Sequence, residues 1–347
     1  MKNHNGWVKK AIDAIEADYQ RSADTHLVKL DIPQFPDIDM YLKDESTHPT
    51  GSLKHRLARS LFLYGLCNGW IKETTTIIEA SSGSTAVSEA WFSKLLGLPF
   101  IAVVPSSTAS AKIKQIEFYG GRCEFVNSPS EIYEVSERLA LENNGHFMNQ
   151  FKYAERATDW RGNNNIAESI LKQMSKEPSP IPSAIVMSAG TGGTLATLGR
   201  FVKFKGLPIK IVGVDPENSV FYDYWITRDE ALSSQKASRI EGIGRPRVEP
   251  SFVPTVIDNM FKIKDKDSAS AMHYLHKKLG RRVGASTGTN FIGMLNIAKE
   301  MRSQNQKGSL VTLICDSGER YLDTWYDEAW LRHEVGKIEP LFNDILS

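Results

Sequence analysis

The chain has 347 residues, with 42 Lys and Arg against 41 Asp and Glu, a formal net charge of +1, and 41% hydrophobic residues. This composition suits two modest domains that share a cleft, and the lack of a basic cluster excludes nucleic acid as the main partner. No apolar run approaches bilayer length, and Met1-Lys2-Asn3-His4-Asn5-Gly6 leads straight into an amphipathic stretch, so the expectation is a cytoplasmic protein without membrane association.

The first informative pattern is Pro49-Thr50-Gly51-Ser52-Leu53-Lys54-His55-Arg56-Leu57-Ala58. Leu53, Leu57, Leu61 and Tyr64 recur at helical spacing and Asn68-Gly69 supplies a stop, which puts Lys54 in the first turn of a helix. A solvated surface lysine is the plain alternative. A cation in that turn, however, meets the partial positive charge of the helix N-terminus, and a lysine working as a neutral amine or an imine resolves the conflict.

From residue 76 short β-branched runs alternate with helical stretches, the mark of an α/β fold with mostly parallel sheets. Thr76–Ala80 reads as a strand, 81–85 as a loop, and Ala86–Leu96 as a helix closed by Gly97. A strand over Phe100–Val104 follows, then a helix toward Gly120-Gly121, a strand over Cys123–Val126 and a helix over Glu131–Glu142. Ala167–Met174 is helical, Glu177-Pro178-Ser179-Pro180-Ile181-Pro182 is a stiff spacer, and a second sheet is expected to begin there. Its strands are Ala184–Met187, Ile209–Val214 and Leu310–Ile314, and helices span Ser268–Leu279 and Thr289–Arg302. The expected domains are a smaller one over 1–153, with part of the first ~45 residues free to pack on the other, and a second over 154–347. Cys67, Cys123 and Cys315 are too scattered for zinc or a disulfide framework and read as buried thiols. Ligands of such sheets bind beyond the carboxyl ends of strands, which selects the loops 81–85, 188–194, 284–288 and 315–318.

Ser188-Ala189-Gly190-Thr191-Gly192-Gly193-Thr194 follows a strand and opens a helix, so its N–H groups and the Thr191 and Thr194 hydroxyls can hold a phosphate. A ligand-free tight turn is the plain alternative, and a dinucleotide fold is another, because Asp215 ends the next strand; Leu195 stands where that fingerprint has its third glycine. Gly284-Ala285-Ser286-Thr287-Gly288, with Asp316 and His333 downstream, fits the order of a serine hydrolase, but a strand before Ser286 is lacking. Ser81-Ser82-Gly83-Ser84-Thr85 suits a carboxylate, although helix capping is the plainer role. A lysine, a phosphate cradle and a carboxylate arc are together what an aldehyde cofactor with a phosphate tail requires for an amino-acid substrate.

Taken in order, these motifs resemble the fold type II pyridoxal-phosphate enzymes of the tryptophan synthase β type, and within them the cysteine synthase (O-acetylserine sulfhydrylase) family. The Pro49 to Arg56 run matches that family's cofactor-lysine motif, Ser81 to Ala86 its Thr-Ser-Gly-Asn-Thr-Gly loop, and Asn149-Gln150-Phe151 its Gln-Phe segment. Gly190 to Thr194 matches its phosphate loop, and Gly213-Val214-Asp215-Pro216, Ile240-Glu241-Gly242-Ile243-Gly244, Ser286-Thr287-Gly288 and Ser317 to Leu322 complete the series.

The resemblance implies two domains with pyridoxal 5'-phosphate in the cleft between them, and a homodimer. It further implies that Lys54 forms the internal aldimine and shuttles the α-proton, that Gly190, Thr191, Gly192, Gly193 and Thr194 bind the phosphate, and that Ser286 faces the pyridine nitrogen. Ser81, Ser82, Thr85, Gln150 and Gly242 are then substrate residues. Ser84 stands where the synthases carry an asparagine against the cofactor, and 153–161 and 219–239 also depart from the synthase pattern. These departures make the chain resemble the cysteine desulfhydrase branch, which cleaves L-cysteine to sulfide, pyruvate and ammonia through an aminoacrylate. Cysteine synthesis from O-acetylserine and sulfide is the close alternative, and a serine hydrolase using Ser286 is the alternative of another class.

Overall fold

The computed structural model describes residues 2–21, 24–128 and 131–341. Its elements run α1 (Lys2–Arg21), β1 (His26–Leu30), β2 (Ile38–Asp44), α2 (Lys54–Cys67), β3 (Thr76–Glu79), α3 (Ser84–Leu96), β4 (Phe100–Pro105), α4 (Ser110–Phe118), β5 (Arg122–Val126), α5 (Ile132–Glu142) and β6 (Gly145–Phe147). They continue with α6 (Gln150–Ala157), α7 (Ile166–Met174), β7 (Ala184–Ser188), α8 (Gly193–Lys205), β8 (Lys210–Pro216), α9 (Phe221–Thr227), β9 (Asn259–Ile263), α10 (Asp265–Leu279), α11 (Ala285–Ser303), β10 (Gly308–Ile314) and α12 (Glu328–Glu334). The chain groups into two units, Met1–Asp24 with Leu53–Thr158, and Thr25–Ser52 with Asp159–Ser347. Each is α/β.

The first unit holds a four-stranded parallel sheet in the order β5-β4-β3-β6. Its central strands β3 and β4 are largely apolar runs buried on both faces, as helix-covered parallel strands must be, while β5 and β6 at the edges are only partly buried. Ile77, Phe100, Ala102 and Val104 pack with Leu57, Leu61 and Phe62 of α2 and Val87 and Phe92 of α3. The alternate positions Ile78, Ile101 and Val103 pack with Leu139 of α5. Gly97 closes α3 at φ 69°, the left-handed conformation in which a glycine avoids the Cβ penalty.

The second unit holds a six-stranded sheet in the order β1-β2-β10-β7-β8-β9, parallel except for the β1–β2 pair. The face bearing Ala184, Val186, Val212 and Val214 packs on α10 and α11. Two glycines permit this: a Cβ on Gly293 would fall 2.3 Å from a Val214 methyl, and one on Gly288 would fall 2.0 Å from the Ser268 carbonyl oxygen of α10.

Several expectations change. The second sheet does not begin at 184, because the hairpin β1–β2 supplies two of its strands and Ile38 to Asp44 runs beside Gly308 to Ile314. The loop expected over 284–288 is mostly the first turn of α11, since a helix buried on nearly every face has no amphipathic edge to mark its start. Cys315 is buried, but Cys123 is partly exposed and Cys67 exposed. Among the described residues no helix is long and apolar enough to cross a membrane.

Candidate active site

In the first unit, strands β3, β4 and β5 step outward in one direction while β6 returns to the other side of β3. The order therefore reverses between β3 and β6, and ligands bind beyond the carboxyl ends of strands at such a switch. The loop after β3 carries Ser81 and Ser82, and Ser84 and Thr85 open α3. The expected capping role is not filled there: the N-cap residue of α3 is Gly83, without a side-chain cap bond, while Ser81 Oγ accepts the Gly83 N–H at 3.2 Å. The turn thus presents backbone N–H groups and the helix dipole toward an anion.

Gln150 opens α6 just beyond β6, because Asn149 takes the left-handed conformation at φ 47° and accepts the Lys152 N–H. Thr85 Oγ1 donates to Gln150 Oε1 at 2.7 Å, which turns the amide NH2 away to donate elsewhere. The Gln150 N–H donates to Glu79 Oε2 at 3.1 Å, and the Ala80 N–H donates to Glu79 Oε1 at 2.7 Å. Glu89 of α3 lies against Glu79, and both are fully buried. Burial raises both acids, Glu89 further through the charge of Glu79. The sequence reading missed this pair, although an acid ending the apolar run Thr76-Ile77-Ile78 and another in the apolar helix after it were its signals.

Lys54 is the first residue of α2, partly buried, in a turn without an acidic side chain. The preceding loop turns at Gly51, φ 71°, and within its own unit Ser52 bridges Asp316 and Arg320 donates to the Thr50 carbonyl at 2.6 Å.

In the second unit, β7, β8 and β9 step one way while β10 lies on the other side of β7, so the order reverses between β7 and β10. The glycine loop after β7 leads into α8, whose N-cap is Gly192 at φ 93° with no side-chain cap. A Cβ there would strike the Ser251 carbonyl oxygen at 2.5 Å, so glycine is required by conformation and by packing. Gly190, Thr191, Gly193 and Thr194 flank it, with Thr191 buried. The Ser188 hydroxyl beside the loop is buried without a partner among the described residues. The Gly193 N–H donates to Thr191 Oγ1 at 3.3 Å, and the helix-start N–H groups, the threonine hydroxyls and the orphaned Ser188 hydroxyl together fit a phosphate.

Asn290 of α11 braces the switch: its Oδ1 accepts the Ser188 N–H at 2.7 Å and its Nδ2 donates to Cys315 Sγ at 3.2 Å. Thr287 Oγ1 accepts the Cys315 N–H at 3.1 Å, so the neighbouring Ser286, 4% exposed, is held at the ends of β7 and β10. The Gly244 N–H donates to the Ala189 carbonyl at 2.7 Å, tying the turn that includes exposed Gly242 to the glycine loop.

This geometry removes two alternatives. A hydrolase elbow needs a strand before its serine, yet Val283 makes only an isolated bridge to Ser317, and the His333 side chain is 84% exposed and faces Glu334. A dinucleotide fold would offer Asp215 to a ribose, but this side chain is fully buried and accepts the N–H of Tyr222, in the first turn of α9, at 2.9 Å.

Two α/β units with candidate residues at the switch point of each sheet define the class, and comparison with known proteins gives its name. Residues 20–316 match the family described as pyridoxal-phosphate dependent enzyme. The chain belongs to that family, and its cofactor is pyridoxal 5'-phosphate. It is 55% identical over 329 residues to L-cysteine desulfhydrase Cds1 of Mycobacterium tuberculosis, covering 94% of this chain and 89% of that one. It is 31% identical over 291 residues to cysteine synthase B of Campylobacter jejuni, covering 83% and 91%. Among solved structures, a hydrogen sulfide-producing enzyme from Fusobacterium nucleatum superposes with a TM-score of 0.76 at 25% identity, covering 89% and 96%.

Proposed function

We propose that this protein is an L-cysteine desulfhydrase, a carbon–sulfur lyase that converts L-cysteine and water to sulfide, pyruvate and ammonia. The observation that carries the proposal is the 55% identity to a named L-cysteine desulfhydrase across 94% of the chain. When bound, the cofactor supplies an aldehyde for the substrate amine and an electron sink for the carbanion formed at its α-carbon.

The chain's own groups do the rest. The Lys54 amine holds the cofactor's aldehyde and moves the proton at the substrate α-carbon. Gly190, Thr191, Gly192, Gly193 and Thr194 bind its phosphate at the start of α8. The Ser286 hydroxyl meets the ring nitrogen; unlike a carboxylate it does not keep that nitrogen protonated, so loss of a β-substituent is favoured over transamination. Ser84 offers a short hydroxyl toward the ring. Ser81, Ser82, Thr85 and the Gln150 amide bind the substrate carboxylate, and Gly242 lies on the substrate side. With the resemblance come a homodimer, a cytoplasmic setting and the division into domains near residue 153; a single-chain mass by sedimentation equilibrium would remove the dimer.

The deciding assay feeds the purified holoenzyme L-cysteine alone and, separately, O-acetylserine with sulfide. Pyruvate and sulfide from cysteine support the proposal. Rapid cysteine formation with no pyruvate would make the protein a synthase.

A further inference from the structure

The substrate-carboxylate residues rest on a feature that the reaction above does not use. Glu79 receives two backbone N–H groups, from Ala80 at 2.7 Å and from Gln150 at 3.1 Å. Neither Glu89 oxygen has a hydrogen-bond partner among the described residues, and the group facing it is Glu79. Two buried carboxylates in contact cannot both stay charged, whereas one proton between them satisfies both. The donors decide which acid holds it: Glu79, with two N–H groups, is the anion, and Glu89, with none, is the acid that donates to it.

We propose that Glu79 and Glu89 are a positioning pair which shares one proton and, through the Gln150 N–H, sets the carboxylate subsite. Glu79 then accepts three hydrogen bonds and stands at the N-terminus of α6, where a negative charge is favoured. It fixes the residue whose amide Thr85 orients, so a displacement of Glu79 reaches the substrate through Gln150. The proposal rests on the assignment of Thr85 and Gln150 to the substrate carboxylate.

Other charges near the pair are accounted for. Of the elements packed on β3 and α3, α2 brings His55, whose ring lies 5.0 Å from Trp91 and 4.9 Å from Phe92. Arg59 of α2 pairs with Glu16 of α1, and β6 brings His146, which burial lowers to about 4 and keeps neutral. The charged residues of α5 are exposed, as are Lys114 and Glu117 of α4, with Lys112 partly exposed.

Three variants of the holoenzyme test the pair: Glu89→Gln, which still donates to Glu79 but cannot titrate, Glu89→Leu, which cannot donate, and Glu79→Gln, which places an NH2 beside the N–H groups. Affinity is read with L-alanine, through the change it causes in the cofactor's visible absorbance, and KM and kcat with L-cysteine. Glu89→Leu and Glu79→Gln should weaken both L-alanine binding and KM by roughly tenfold with kcat changed less than about twofold, and Glu89→Gln should restore affinity to within about threefold.

The folded pair binds a proton that the unfolded chain releases above about pH 4.3, so its contribution is full at low pH and fades as the pH rises through the folded value. Glu89→Gln should flatten that loss in melting temperature. Unchanged affinity in Glu79→Gln, or a Glu89→Gln protein with the parent's pH–melting profile, would overturn the proposal, and both can be measured if Glu89→Leu does not fold. A parent that makes no pyruvate yet binds L-alanine through the pair would instead remove the desulfhydrase reading.

Discussion

Asp215 shows what one buried side chain implies. Burial raises its carboxyl to about 7, and one of its oxygens has no partner among the described residues. The folded chain therefore holds a proton that the unfolded chain releases near pH 3.9, and the stability this brings is complete below that value and lost as pH rises through about 7. Asp215→Asn should gain melting temperature relative to the parent between pH 5 and 8; a constant difference would mean that Asp215 is charged throughout. Thr85 makes a prediction of another kind. Without its hydroxyl the Gln150 amide loses its orientation, so Thr85→Val should raise KM for L-cysteine about fivefold to tenfold with kcat little altered. An unchanged KM would separate Thr85 from the substrate.

Among elements, the contact of α10 with α11 has the least room. The Ser268 carbonyl oxygen would lie 2.0 Å from a Cβ on Gly288, so Gly288→Ala must part the two helices and should cost roughly 1–3 kcal/mol, read by urea unfolding. A neutral result would mean that this crossing adjusts freely. The same helices show what pattern can and cannot reveal. The strands β3, β4, β7, β8 and β10 were legible because parallel strands covered by helices read as unbroken apolar runs. The short β6 and the mixed β1, β2 and β9 carry no such run, and α6 and α9 are too short to set a period. Turn chemistry was legible at Gly97 and Gly192, where a left-handed residue ends one helix and begins another.

For the whole molecule, the candidate site was legible to the extent that its chemistry is carried by local motifs. Lys54 and the glycine loop announce themselves through charge and turn composition, and the structure adds the reversal of strand order that marks the end of each sheet where ligands bind. The bond between Thr85 and Gln150, 65 residues apart, and the Glu79–Glu89 contact arise from tertiary packing, which no local pattern encodes. All of the proposed chemistry passes through one covalent anchor, and it can be located directly. Borohydride reduction of the purified holoenzyme, followed by digestion and peptide mapping, should place the reduced cofactor on Lys54, and Lys54→Ala should lack both the label and the visible absorbance. Label recovered on a different lysine, with the absorbance intact in Lys54→Ala, would contradict the account.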